Sequence, residues 1–110
     1  MAHYKMVVMS DPVEGREDEY NQWYEDVHLP ELVALDGIES AKRSRLARTL
    51  GDRTTYSCMV EYEIETDDID AVLASLVDKA QSGVLTMSDS IDRPNSYAAV
   101  YEVIGVEHAK

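Results

Sequence analysis

The chain has 110 residues, 45% hydrophobic and 29% charged, which suits one globular domain over residues 1–110 with a packed core. Its 22 acidic against 10 basic residues leave a formal charge of −12. Such a field repels phosphate backbones and anionic lipid, so neither nucleic acid nor a membrane is an expected partner.

The first apolar segment, Tyr4 to Ser10, ends at Asp11-Pro12 and reads as a strand buried on both faces. It is too short for a signal-peptide core or a membrane span. The single cysteine, Cys58, allows no internal disulfide, so a reducing, cytoplasmic setting is expected. After Gly15 the period changes. Tyr20, Trp23, Tyr24 and Val27 fall at i, i+3, i+4 and i+7, with acids on the opposite side, predicting an amphipathic helix that begins between Glu14 and Glu17. Pro30 lacks an N–H and crowds the carbonyl of Asp26, so the helix should stop or kink there. On a straight helix Leu29 falls on the polar side, which also points to a change of phase near the proline.

Asp36-Gly37 marks a turn, and Ile38 to Leu50 a long second strand in which Ser40, Lys42 and Ser44 alternate with Ala41, Arg43 and Arg45. Gly51-Asp52 is the next turn. Thr54 to Ile64 is the third strand, with Tyr56, Cys58, Val60, Tyr62 and Ile64 on one face. A second helix opens at Thr66-Asp67-Asp68, capped by Thr66 or Asp67. Ile69, Val72, Leu73, Leu76, Val77 and Ala80 form its buried stripe, and Gly83 stops it. Val84 to Ser96 is mixed, and Tyr97 to Val106 is the last strand. The order is that of an α+β, ferredoxin-like βαββαβ unit: a four-stranded antiparallel sheet with both helices on one face. The uncovered face looks too apolar to be left in water, so an obligate homodimer is expected, with the acidic helix faces outward.

The stretch WYEDVHLPELVALDGIESAKRSRLA, followed by YEIETDD ahead of the second helix, resembles the dimeric α/β-barrel superfamily and within it the EthD-like branch. The carriers are Trp23-Tyr24, His28, Pro30, Gly37 and the basic strand Arg43-x-Arg45. Members resemble one another in fold while acting as isomerases, cyclases, cofactor-free monooxygenases, haem enzymes or accessory proteins. The resemblance implies a small-molecule pocket between sheet and helices, near His28, Trp23 and Tyr24. The haem-binding members are larger, so no haem is expected.

Read as chemistry, His28 titrates nearest neutrality and can move a proton in either direction; equally, it can be a structural histidine bound to a carbonyl freed by Pro30. Glu31 is either its orienting carboxylate or a solvated acid. Tyr24 is the candidate partner in catalysis. Trp23, Arg43, Arg45, Tyr56 and Tyr62 are candidate substrate-binding residues. The two arginines share a strand face, where a ligand oxyanion or a helix-borne carboxylate would compensate them. No HxH, HExxH or cysteine cluster supports a metal, and phosphate loops and a GxSxG elbow are absent from the sequence, so no cofactor is expected. These residues suit a lyase, isomerase or cyclase acting on a small, largely apolar oxygenated ring compound. The alternatives are a cofactor-free monooxygenase and a non-enzymatic ligand-binding or accessory dimer.

Overall fold

A computed structural model describes residues 1–51 and 55–110. Strand β1 (Ala2–Ser10) is followed by helix α1 (Glu17–Trp23), a π-helical turn (Tyr24–His28) and helix α2 (Leu29–Val33). Then come β2 (Ile38–Arg45), β3 (Cys58–Thr66), α3 (Ile69–Ser82), a 3₁₀ turn (Arg93–Asn95) and β4 (Tyr97–Glu102). The four strands form one antiparallel sheet in the order β2-β3-β1-β4. The fold is therefore the α+β, ferredoxin-like arrangement that the period changes indicate.

The strands are shorter at their loop ends than the sequence suggests. β2 stops at Arg45, and Leu46 to Leu50 leave the ladder, with Leu50 fully exposed. β3 begins at Cys58; residues 55–57 carry no strand, and Asp52 and Thr54, placed in the turn and strand by sequence, lie outside the described residues. β4 ends at Glu102, leaving Val103, Ile104 and Val106 in water. Strand propensity without a pairing partner does not make a strand.

The proline does not end the first helix. Residues 17–33 run on as one helical rod, because the turn ahead of Pro30 widens: the Leu29 N–H reaches the carbonyl of Tyr24, five residues back. A π turn inserts one residue and rotates all later side chains by about 100°. Leu29 thereby swings from the polar side into the core, 8% exposed, together with Leu32.

On β3, Cys58, Val60, Tyr62 and Ile64 alternate inward and are buried against Tyr20, Trp23, Tyr24, Leu29 and Leu32. Across the ladder they face Ser10, Val8, Met6 and Tyr4 of β1. The first strand is half-buried rather than buried on both faces, with Met6 and Ser10 its buried members. Gly37 takes φ +91° in the turn before β2, where a Cβ would stand 2.9 Å from Val72 Cγ2 of α3.

Helix α3 is capped by Asp68, not by Thr66 or Asp67: Asp68 Oδ1 accepts from the Ala71 N–H at 3.0 Å, while Thr66 Oγ1 accepts from the Asp68 N–H. Gly83 closes it in the left-handed conformation, as expected. Its apolar stripe is only half-buried, and Val77 is exposed, because the C-terminal half of α3 stands off the sheet over a cavity.

The face of the sheet away from the helices is mixed rather than uniformly apolar. Lys5 pairs with Glu61 at 3.3 Å and Glu63 at 3.5 Å across β1 and β3. The register places Val7, Met9, Met59, Ala99 and the half-exposed Tyr97 and Tyr101 on that same face. Its apolar part is thus a patch centred on β1 and β4.

Candidate functional site

Between the helices and the sheet lies a cavity of about 270 Å³. Met6 and Val8 of β1, Tyr62 of β3 and Ala98 of β4 form its floor, and Leu76, Val77 and Ala80 of α3 form one wall. The opposite wall is Tyr24, His28 and Leu32, the inward face of the π turn and α2. Leu85 and Met87 close one end. No charged side chain is among these lining residues. The lining residues that carry polar side-chain atoms are His28, Tyr24 and Tyr62.

His28 stacks on Trp23, with ring centroids 4.4 Å apart and planes inclined by 24°, and meets Tyr24 edge-on at 5.5 Å. Its Nδ1 is buried without a hydrogen-bond partner among the described residues. Burial lowers its pKa from 6.5 to about 4; the charge of Glu31 opposes this shift and that of Arg93 adds to it. The imidazole is therefore neutral at physiological pH. Burial also raises Tyr24 and Tyr62 above the ordinary phenol value, so both hydroxyls are donors there.

Trp23 lies behind the histidine, outside the cavity lining. Its Nε1 donates to the Thr86 carbonyl at 2.8 Å, and Glu31 accepts from the Thr86 N–H at 2.8 Å and from its hydroxyl at 3.0 Å. Glu31 thus binds the loop after α3 with both carboxylate oxygens. Sequence reading placed no role on Thr86, Leu85 or Met87. The one signal was the pair Leu85 and Met87, two residues apart in a stretch otherwise full of serine and aspartate.

Arg43 and Arg45 do not reach the His28 cavity. They line a separate, larger groove of about 410 Å³ between α1 and the β2 edge, together with Glu17, Asn21, Glu25 and Cys58. Arg43 donates to Asn21 Oδ1 at 2.6 Å and pairs with Glu25 at 3.4 Å, so its charge meets a helix-borne carboxylate. Tyr56 is in neither lining. Among the described residues no cluster of three or more metal-ligating side chains occurs, and no helix is long and apolar enough to cross a membrane.

No protein-family model matches the chain, and no curated relative is found. Solved structures do share its fold. A provisionally named monooxygenase of Shewanella loihica PV-4 superposes with a TM-score of 0.62 over 96% of this chain and 99% of its own, at 13% identity. An ethyl tert-butyl ether degradation (EthD) family protein of Bacillus halodurans C-125 gives 0.58 over 94% and 100%, also at 13% identity. The chain therefore shares the ferredoxin-like fold of these two structures, one of them EthD-like, as the chain's WYEDVHLPEL stretch and basic strand suggest.

Proposed function

We propose that the protein is a cofactor-independent acid–base enzyme of the lyase, isomerase or cyclase type, working in the 270 Å³ cavity on a small, uncharged, largely apolar oxygenated ring compound. One observation carries the reading: a neutral imidazole stands in the wall of an apolar cavity that two tyrosines also line. The volume equals about nine waters at roughly 30 Å³ each, which suits a ring compound of modest size. His28 takes the proton from a carbon or hydroxyl next to a carbonyl. Tyr24, aided by Tyr62, donates to the carbonyl oxygen as it becomes negative. Trp23 positions the histidine, and the arginines act from outside the cavity.

A base with a pKa of about 4 is weaker than free imidazole, so the developing anion must be stabilised as the proton leaves. Thermal-shift screening of neutral one- and two-ring hydroxyaryl ketones is expected to find ligands, and His28→Ala to abolish turnover of the best of them. Full turnover by a folded His28→Ala protein removes the base assignment.

A cofactor-free monooxygenase is the second reading, favoured by the aromatic cavity and by the name of the Shewanella loihica neighbour. Oxygen uptake with an anthrone-like substrate supports it; turnover under argon supports the acid–base reading. The open space beside His28 weighs against a purely structural interior. We further propose that the β1–β4 patch joins two copies into a homodimer.

A further inference from the structure

The proposed proton transfer leaves an oxyanion on the substrate and a positive charge on His28, in a cavity whose lining carries no permanent cation. A cation stands one aromatic ring away. The Arg43 guanidinium carbon lies 5.2 Å from the centroid of the Tyr24 ring and 5.9 Å from that of Tyr20. Tyr24 lines the cavity, and Arg43 lines the groove on the far side of the helix–sheet junction. The guanidinium is held in this pose: Nη2 donates to Asn21 Oδ1 at 2.6 Å, and Nη1 donates to the Asn21 carbonyl and Glu25 Oε1, each at 3.4 Å. The side chain is only 14% exposed, and its Nε is buried without a partner among the described residues. A surface ion pair needs none of this, since an arginine free to turn outward would hydrate Nε.

We propose that Arg43 is a positioning residue for Tyr24, placing a fixed positive charge against the phenol ring so that the Tyr24 hydroxyl becomes a stronger donor to the oxyanion of a neutral carbonyl substrate. This rests on the acid–base reading of the cavity. A cation within 4–6 Å of an acid favours its ionised form and strengthens its O–H as a donor. Working through the ring, Arg43 supplies charge without entering the cavity, which stays apolar and admits an uncharged substrate. The other groups around Tyr24 are Tyr20 and His28 of its own helix, Ser10 of β1, Cys58 and Tyr62 of β3, and Arg93 of the loop before β4. Cys58 raises the Tyr24 pKa, while Ser10, Arg43 and Arg93 lower it against the dominant effect of burial.

The test reads Tyr24 directly and needs no substrate. Tyr24→3-fluorotyrosine lowers the pH of the phenol titration, and fluorine NMR follows it. Arg43→Met should raise the midpoint by about one unit, and Arg43→Lys, which keeps charge but loses the fork, by less. Glu25→Gln should lower it by leaving the guanidinium uncompensated. An unmoved midpoint in folded Arg43→Met overturns the proposal. Should that variant fail to fold, an unmoved midpoint in Glu25→Gln overturns it instead. Loss of the His28 assignment leaves this titration unaffected, so the two readings fail separately.

Discussion

The indole of Trp23 and the imidazole of His28 lie in a stack, 4.4 Å between centroids and inclined by 24°. The five-residue π turn brings them together, and the stack seals one face of the histidine from water. A charged imidazole is therefore penalised. In proton NMR His28 should titrate near pH 4, and Trp23→Ala should move it at least one unit back toward 6.5 as water reaches the ring. The stability consequence has a definite sign. Between pH 6.5 and about 4 the unfolded chain binds a proton at this site and the folded chain does not, so unfolding is favoured as the pH falls. The full effect is about 3 kcal/mol once the pH is below both values, and it is absent above 6.5. His28→Gln should lack this component. Parallel stability–pH curves for the two proteins in urea would show that the histidine is not held neutral.

Thr86 joins the loop after α3 to the helix carrying the site, through Trp23 Nε1 and both oxygens of Glu31. Glu31→Ala removes two of the three hydrogen bonds and should cost about 1–2 kcal/mol. The local effect should exceed the global one. Hydrogen exchange at the Thr86 amide should accelerate by at least tenfold, and Trp23 fluorescence should shift to the red as the end of the cavity formed by Leu85 and Met87 loosens. Unchanged exchange at Thr86 would mean that Glu31 does not hold the loop.

Gly37 tests the packing of α3. Gly37→Ala meets two separate penalties: a left-handed φ of +91°, and a Cβ 2.9 Å from Val72 Cγ2. The backbone part costs about 1–2 kcal/mol and the clash a further 1–3. In the double variant with Val72→Ala the clash is relieved and the backbone strain remains. Urea denaturation should therefore show a favourable coupling between the two changes. Simple additivity would mean that α3 does not rest on this turn.

The elements legible in the sequence are those whose periodicity matches a single buried face. Cys58, Val60, Tyr62 and Ile64 alternate without a break, and the strand is found where the alternation lies. His28 and Tyr24 are legible as neighbours because any helical turn brings i and i+4 together. The π turn is legible only as the change of phase that Leu29 signals near Pro30; its five-residue form is not, because no local propensity encodes it. The separation of Arg43 from His28 is equally hidden. β2 and α1 both carry plausible pocket residues, and only the edge-to-face packing of Tyr20 and Tyr24 between them shows that there are two spaces rather than one. Half-burial of α3 also escaped the pattern, since an apolar stripe reads alike whether it faces packed side chains or a cavity.

Assembly is the last prediction. Val7, Met9, Met59, Tyr97 and Tyr101 form one apolar patch beside the Lys5–Glu61 pair, and Ile104 and Val106 follow it, 94% and 80% exposed. Several hundred Å² of apolar surface stabilise an interface by on the order of 10 kcal/mol at roughly 25 cal/mol per Å². Association costs about 4–15 kcal/mol, so the patch alone is marginal and the tail must contribute to a stable dimer. Two chains of charge −12 also repel each other. The protein should therefore sediment as a dimer at micromolar concentration, more tightly in 0.5 M than in 0.05 M salt, as screening would dictate. Met9→Asp should release folded or partly folded monomers, and removal of residues 103–110 should weaken the dimer at least tenfold. A wild-type protein that sediments as a stable monomer across this salt range would refute the dimer and leave the β1–β4 patch facing water.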